Sequence, residues 1–120
     1  MFDGRDPLYV QIADQIRADV LSGALGAEEQ VMSTTQYATT FRINPATAAK
    51  AFTELVDEGV LYKRRGIGMF VAEGAREQLL AKRRASFLTD VVEPMLEQAR
   101  VLGIGVDEII ERLREKEGPR

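Results

Sequence analysis

The sequence predicts a mainly α-helical protein with one small β-hairpin. Apolar residues recur at spacings of three and four along most of the chain, which is the pattern of amphipathic helices. Helix-start signals precede some of these runs, as at Asp6-Pro7 and Asn44-Pro45. Residues 60–72 combine two β-prone runs with a glycine-containing turn between them, as a hairpin requires.

The first helix is predicted to begin with Asp6 as N-cap and Pro7 at the first helical position. Gly23 is a typical C-terminal stop. Residues 22–30, which contain two glycines, are expected to form an irregular connection. The apolar face of this helix consists of Leu8, Ile12, Ile16 and Val20, with Tyr9 and Leu21 beside it.

Two shorter helices follow. Ser33 is predicted to cap a second helix that runs to about Phe41, and Asn44 to cap a third helix after a tight turn. Gly59 is expected to end the third helix. Its core face, at spacings i, i+3, i+4 and i+7, is formed by Ala48, Ala51, Phe52 and Leu55.

The outer side of the third helix carries small residues through its first two turns, before Lys50. A helix with its side chains measures about 10–12 Å across and the major groove of DNA about 12 Å, so a slim helix can enter the groove. Thr47 can donate to a phosphate or touch a thymine methyl, and Lys50 can reach a phosphate or a guanine. We also expect free backbone N–H groups and the helix dipole to attract phosphate at this N-terminus.

The hairpin has predicted strands at residues 60–63 and 69–72, with Arg64, Arg65 and Gly66 in its turn. Two short helices, a tight turn and a hairpin are the elements of a winged helix-turn-helix. In that arrangement residues 44–58 form the recognition helix in the major groove. The wing, residues 60–72, then lies on the adjacent backbone or minor groove.

Charge gives a mixed indication. The net charge of −3 argues against a nucleic-acid partner. Locally, cations concentrate in residues 42–65, and a second basic cluster occupies residues 82–84. We therefore interpret the chain as an acidic protein with one basic face. The cations of the first cluster are Arg42, Lys50, Lys63, Arg64 and Arg65.

From residue 74 onward the sequence predicts a tail of two helices. Pro94 is expected to kink or break the first, and Asp107 to begin the second. Because the tail is too small to bury its own core, we expect a second copy of the chain to cover its apolar stripe. The predicted domains are residues 1–73 and 74–120. The dimerisation stripe comprises Leu80, Phe87, Leu88, Val91, Met95 and Leu102.

The composition argues against most catalytic chemistry. Cysteine and histidine are both absent, which removes disulfides, thiolate nucleophiles, the usual zinc sites and the commonest general base. The sequence has no phosphate-binding glycine loop and no nucleophile elbow. We predict a non-enzymatic protein without a cofactor or metal. No apolar run approaches a membrane span and no signal peptide is recognisable, so a cytoplasmic location is expected.

Two stretches resemble the GntR family of bacterial transcription regulators. They are "PLYVQIADQIRADVLSGAL" and "NPATAAKAFTELVDEGVLYKRRGIGMFV", and the resemblance covers residues 7–72. The Asn44-Pro45-x-Thr47 start and the short helical tail are similar to the small YtrA-like subfamily. The resemblance implies a homodimer, acting as a repressor on a palindromic DNA operator.

The resemblance also implies which residues contact DNA. On the recognition helix they are Asn44, Ala46, Thr47 and Lys50, and in the wing they are Arg65 and Gly66, beside Arg64.

The second helix departs in part from the family pattern. Ser33 matches that pattern, whereas Met32 replaces a proline and Thr35 replaces an arginine that usually meets DNA. Arg42 is expected to substitute in part for that arginine.

Two alternatives stay open. The net charge and Thr35 are compatible with a winged-helix module that binds a protein rather than specific DNA, since fold does not determine function. An enzyme would need an acid–base pair, for which Glu28 and Glu29 are the available candidates, and a solvated turn explains them more simply. An unidentified small-molecule effector is also possible. The sequence shows no metabolite pocket for one.

Overall fold

The computed structural model describes residues 6–118 and is mainly helical, as predicted, with one small antiparallel sheet. The chain divides into two compact units, one up to Ala81 and one from Lys82 onward. The predicted domains, 1–73 and 74–120, stay a prediction. In chain order the elements are α1 (Leu8–Ser22), β1 (Gln30–Val31), α2 (Thr34–Phe41), α3 (Pro45–Asp57), β2 (Leu61–Arg64), β3 (Gly68–Val71), α4 (Ala75–Phe87), a π-helical segment (Leu88–Val92), α5 (Glu93–Leu102) and α6 (Val106–Glu117).

The core of the first unit lies where α1 and α2 pack against α3. The apolar faces predicted for α1 and α3 are buried except at Leu8, which is half-buried. Alanines at positions 13, 48 and 51 are fully buried, and such small side chains allow close helix packing. Leu79 of α4 joins this core, although the predicted stripe used its half-buried neighbour Leu80.

The predicted caps of α2 and α3 are confirmed. The Ser33 hydroxyl oxygen accepts the Gln36 N–H at 3.0 Å, and the Asn44 Oδ1 accepts the Ala46 N–H at 2.8 Å. The α1 cap is one residue later than predicted. Pro7 is the N-cap because its ψ of 142° is not helical, so Asp6 lies before the cap. Likewise α6 begins at Val106 after Gly105, not at Asp107.

The sheet has a strand that the sequence did not predict. Residues 30 and 31 form β1, which pairs antiparallel with β3, giving the order β1-β3-β2. The predicted hairpin is present, with Leu61 opposite Val71 and Arg64 opposite Gly68. A strand of two residues is too short to give an alternating apolar pattern.

Pro94 does not break the tail helix, because helical structure continues from residue 75 to residue 102. The distortion that the prediction also allowed is present as a π-helical segment, Leu88–Val92. The π-helical segment ends two residues before Pro94, and the Glu93 N–H donates to the Leu88 carbonyl, five residues back. A wider turn of this kind accommodates a ring that would clash in an α-helix. Gly103, with φ of 72°, ends α5 as expected. Within residues 6–118 the structure contains no helix long and apolar enough to cross a membrane.

Candidate nucleic-acid interface

The candidate interface is the side of α3 that faces away from the core. Ala48, Ala51 and Leu55 are fully buried, whereas Ala46, Ala49 and Lys50 are exposed. Thr47 is half-buried at the edge of this face. The first two turns therefore present a narrow surface, on which Lys50 is the only long side chain.

The expectation of free backbone N–H groups at the start of α3 is wrong. Pro45 has no N–H, and the Asn44 side chain accepts the N–H of Ala46 at 2.8 Å. The Asn44 carbonyl accepts the N–H groups of Thr47 at 3.0 Å and Ala48 at 3.1 Å. The helix dipole remains, but a phosphate would have to displace an internal hydrogen bond to reach the backbone.

Lys50 has a contact that the sequence did not suggest. Its Nζ lies 4.0 Å from the centre of the Tyr9 ring, which is a cation–π geometry. Tyr9 belongs to α1 and packs partly against the core. The two residues are 41 positions apart, so local patterns could not reveal the pair.

The residues of α2 that were predicted to contact DNA lie in the same compact unit as α3. Ser33 and Thr35 are exposed at the first turn of α2. Arg42 ends that helix with φ of 54°, a left-handed conformation that costs about 1–2 kcal/mol for a residue other than glycine. Its side chain is exposed at the turn between α2 and α3.

The wing turn spans Arg64 to Ile67, closed by the Ile67 N–H donating to the Arg64 carbonyl at 2.9 Å. Gly66 has φ of 77°, which is why glycine suits this position. The Arg64 guanidinium lies 5.0 Å from the centre of the Phe70 ring. Arg65 and Gly66 are exposed at the tip.

In the described part of the chain, none of the five cations of residues 42–65 forms an ion pair.

Glu28, in contrast, accepts a hydrogen bond from the Tyr62 hydroxyl, which raises the pKa of Tyr62. Glu29 accepts the Gly26 N–H at 3.0 Å. Both acids, which lie in the loop before β1, are therefore engaged in hydrogen bonds within the protein.

Arg17 of α1 pairs with two acids at the end of α3, Glu54 and the C-cap residue Glu58. The Arg17 guanidinium donates two hydrogen bonds to the Glu58 carboxylate, one of them at 3.1 Å, and lies 3.6 Å from Glu54. It also donates to Asp14 at 2.6 Å. The hydrogen bonding of Arg17 to Glu58 is the main cause of the raised pKa of Arg17, against the effect of burial. The sequence did not reveal this network, which ties α1 to the end of α3.

The predicted dimerisation residues leave a large apolar surface uncovered. Phe87 is 53% exposed, Leu88 65% and Leu102 71%. Val91 and Met95 are also exposed, while Ala99 is the one buried residue within 82–118. The π-helical segment adds a residue, so side chains beyond it are rotated by about 100° from the α-helical pattern.

Comparison with known proteins identifies relatives that cover more than nine tenths of the chain. The family model "Bacterial regulatory proteins, gntR family" matches residues 8–71, from α1 to β3. The HTH-type transcriptional regulator YhcF of Bacillus subtilis is 28% identical over 113 residues, with 94% of this chain and 92% of YhcF covered. The HTH-type transcriptional repressor YtrA of the same species is 27% identical over 109 residues, covering 91% and 83%. These matches agree with the family and subfamily that the motifs resemble.

Solved structures share the fold. A transcriptional regulator from Oenococcus oeni has a TM-score of 0.84 at 26% identity, with 98% of this chain and 97% of that chain covered. The DNA-binding domain of AraR in complex with operator ORX1 has a TM-score of 0.55 at 27% identity, with 60% of this chain and 93% of that chain covered. The predicted fold class is thus confirmed.

Proposed function

This chain belongs to the GntR family of bacterial regulatory proteins and is a non-enzymatic, DNA-binding regulator, and from this premise we propose that it acts as a homodimeric repressor on a palindromic operator. Its place of action is then the bacterial cytoplasm, where the chromosome lies. The observation that carries the proposal is the slim, exposed face of α3, beside cations that have no acidic partner in the described residues.

The recognition helix, residues 44–58, would enter the major groove with this face first. Thr47 and Lys50 supply the polar contacts, while Ala46 allows close approach to the base edges. Asn44 holds the helix start through its own cap bonds, and its amide N–H groups stay available for a phosphate.

The flanking residues would hold the helix in register on the phosphate backbone. Ser33 uses its oxygen as an acceptor for the α2 cap, which leaves its hydroxyl hydrogen for a phosphate. Thr35 offers a weaker contact than the arginine of the family pattern, and Arg42 adds charge nearby. The wing, residues 60–72, would lay Arg64, Arg65 and Gly66 along the adjacent backbone or minor groove.

The second half of the proposal is the dimer. An exposed apolar surface of this kind is typical of an interaction site. A second copy is the partner that a two-fold symmetric operator requires. Tail residues from Leu80 to Leu102 would form the contact and set the spacing of the half-sites.

The recognition helix is tested by changing Thr47→Ala and Lys50→Ala together. We expect operator binding to weaken by about tenfold or more, with circular dichroism unchanged, because one base or phosphate contact is worth about 1–3 kcal/mol. The slope of log K against log salt should fall by about one, since one phosphate contact is lost. Mobility-shift titrations at several salt concentrations measure both quantities.

A matched control removes a lysine elsewhere. Lys116 is exposed in α6, outside the proposed dimer contact, and Lys116→Ala should leave operator binding unchanged. Parental affinity in the Thr47 and Lys50 variant would exclude α3 as the recognition helix. Failure of the parent protein to shift genomic DNA at low salt, together with capture of a stoichiometric protein partner, would favour the interaction module instead.

A further inference from the structure

The first unit contains a cleft beside the recognition helix that the proposed DNA contacts do not use. Its volume is about 280 Å³, close to the lower end of the roughly 300–1,000 Å³ typical of ligand sites. Residues of α1, β1, α2 and α3 and of the loop after α1 all contribute to its lining. The apolar walls include Ile16, Leu25, Val31, Tyr37, Phe41 and Phe52.

The polar side of the cleft carries a single negative charge. Asp19 lines it and is half-buried, and its Oδ1 accepts a hydrogen bond from the Gln15 Nε2 at 3.1 Å. No cation pairs with Asp19 in the described part of the chain. A carboxylate has about four acceptor sites, so most of its capacity remains available. Burial, with a smaller effect of the Asp19 charge, raises the pKa of Tyr37, so this hydroxyl is neutral at pH 7.

We propose that this cleft binds a small organic cation, a primary ammonium group attached to an aromatic or branched apolar body. The ammonium would donate to Asp19, whose charge has no other counter-ion in residues 6–118. The apolar body would contact the aromatic walls, in which the rings of Tyr37 and Phe41 lie 4.5 Å apart. An anion of the same shape would meet the Asp19 charge without compensation.

Occupancy of the cleft would affect α3 directly. The Tyr37 ring of α2 meets the Phe52 ring of α3 edge-on at 5.6 Å, and both line the cleft. Phe52 lies on the face of α3 opposite the exposed side. A ligand between these rings changes the packing that holds the recognition helix. This regulatory consequence, unlike the binding itself, rests on the proposed function.

The binding site is tested without DNA, with 2-phenylethylammonium and 3-phenylpropionate as probes of similar shape and opposite charge. Amide resonances of the ¹⁵N-labelled protein are followed during titration. We expect saturable shifts at residues of the cleft with the ammonium probe, and at least about tenfold weaker binding of the anion. Equal binding of the two probes, or no saturable shift at the cleft, would overturn the proposal.

Two variants test whether Asp19 supplies the charge that binds the ammonium probe. Asp19→Asn keeps an acceptor for Gln15 but removes the charge, and should weaken binding of the ammonium probe by about tenfold. Asp57→Asn is the matched control, because Asp57 is an exposed carboxylate of α3 outside the cleft. Parental affinity in the Asp19 variant would overturn the proposal. If the Asp19→Asn variant does not fold, the comparison of the two probes on the parent protein still tests the proposal.

Coupling to DNA is a separate measurement. The ammonium probe at saturation should change the operator affinity of the parent protein severalfold and leave that of the Asp19→Asn variant unchanged. An unchanged parental affinity would exclude the regulatory role. A protein that binds the probe but shifts no DNA under any condition would instead contradict the proposed function, so the two failures are distinguishable.

Discussion

Among single residues, Lys50 has a partner inside the protein as well as a proposed one on DNA. Its ammonium lies over the Tyr9 ring, and such contacts at exposed sites contribute about 0.5–1 kcal/mol. A lysine side chain also has about 2 kcal/mol of rotamer entropy to lose on binding. We infer that Tyr9 restrains Lys50 near the conformation that meets DNA, so that less entropy is lost in the complex.

This inference predicts that Tyr9→Leu weakens operator binding by about two- to fivefold, whereas Tyr9→Phe retains the ring and the affinity. The effect of Tyr9→Leu should disappear when Lys50 is already alanine, which a double-mutant cycle of mobility shifts measures. Tighter binding by the leucine variant would mean that Tyr9 competes with DNA for the cation. Thermal unfolding separates this effect from loss of core packing.

Tyr37 gives the protein a sensitivity to alkaline pH. Burial raises the pKa of its phenol above the usual value of about 10, with the Asp19 charge adding to the shift. Above pH 10 the unfolded chain therefore loses this proton before the folded chain does, and stability falls as pH rises. Tyr37→Phe should flatten the decline of the unfolding free energy between about pH 9 and 11. Urea titrations at each pH test this, and parallel curves for variant and parent would contradict it.

At the scale of elements, the position of α3 depends on both of its ends. The start is fixed by the Asn44 cap and the end by the two hydrogen bonds from Arg17 to Glu58. The Arg17 side chain is 19% exposed, so these hydrogen bonds are partly shielded from solvent. The network therefore fixes the end of α3 against α1.

Replacing Arg17 with methionine should lower the free energy of unfolding by about 1–3 kcal/mol, because Glu58 loses both of its donors in a partly buried place. Arg17→Lys keeps the charge but not the planar fork, and should recover only part of the loss. Urea denaturation midpoints measure both variants. An unchanged midpoint for methionine would mean that water replaces the guanidinium at no cost.

The elements also show which features local sequence can predict. The sequence predicted the helix caps at Ser33 and Asn44 and the glycines of the wing, because the residues that determine these features are neighbours in the chain. The strand β1 was not, because it exists only through its pairing with β3. The π-helical segment is a compromise between Pro94 and continuous helix, and sequence rules predict the conflict but not its outcome. The Lys50 contact with Tyr9 and the Asp19 cleft depend on tertiary packing.

For the whole molecule, the decisive question is what covers the apolar surface of residues 82–118. A single chain exposes Leu88 and Val91 by half or more, which is costly in water. The family pattern and the two-fold symmetry proposed for the operator point to a second copy. Dimerisation would also link two recognition helices, and linking two binding modules can increase affinity by factors of about 10² or more.

Changing Leu88→Glu and Val91→Glu together should therefore yield monomers in sedimentation velocity runs and weaken operator binding by about a hundredfold. The reason is that two carboxylates would be buried without partners in the dimer contact. The control variant Thr89→Glu with Gln98→Glu adds the same two charges at exposed polar positions. It should disturb the oligomeric state and the operator affinity less than the Leu88 and Val91 variant does. A Leu88 and Val91 variant that remained dimeric would place the contact on other residues, and the exposed α6 residues Ile110 and Leu113 would be the next to change. Monomers that still bound the full operator at parental affinity would show that DNA binding does not need the dimer. They would exclude the proposal that two linked recognition helices bind together.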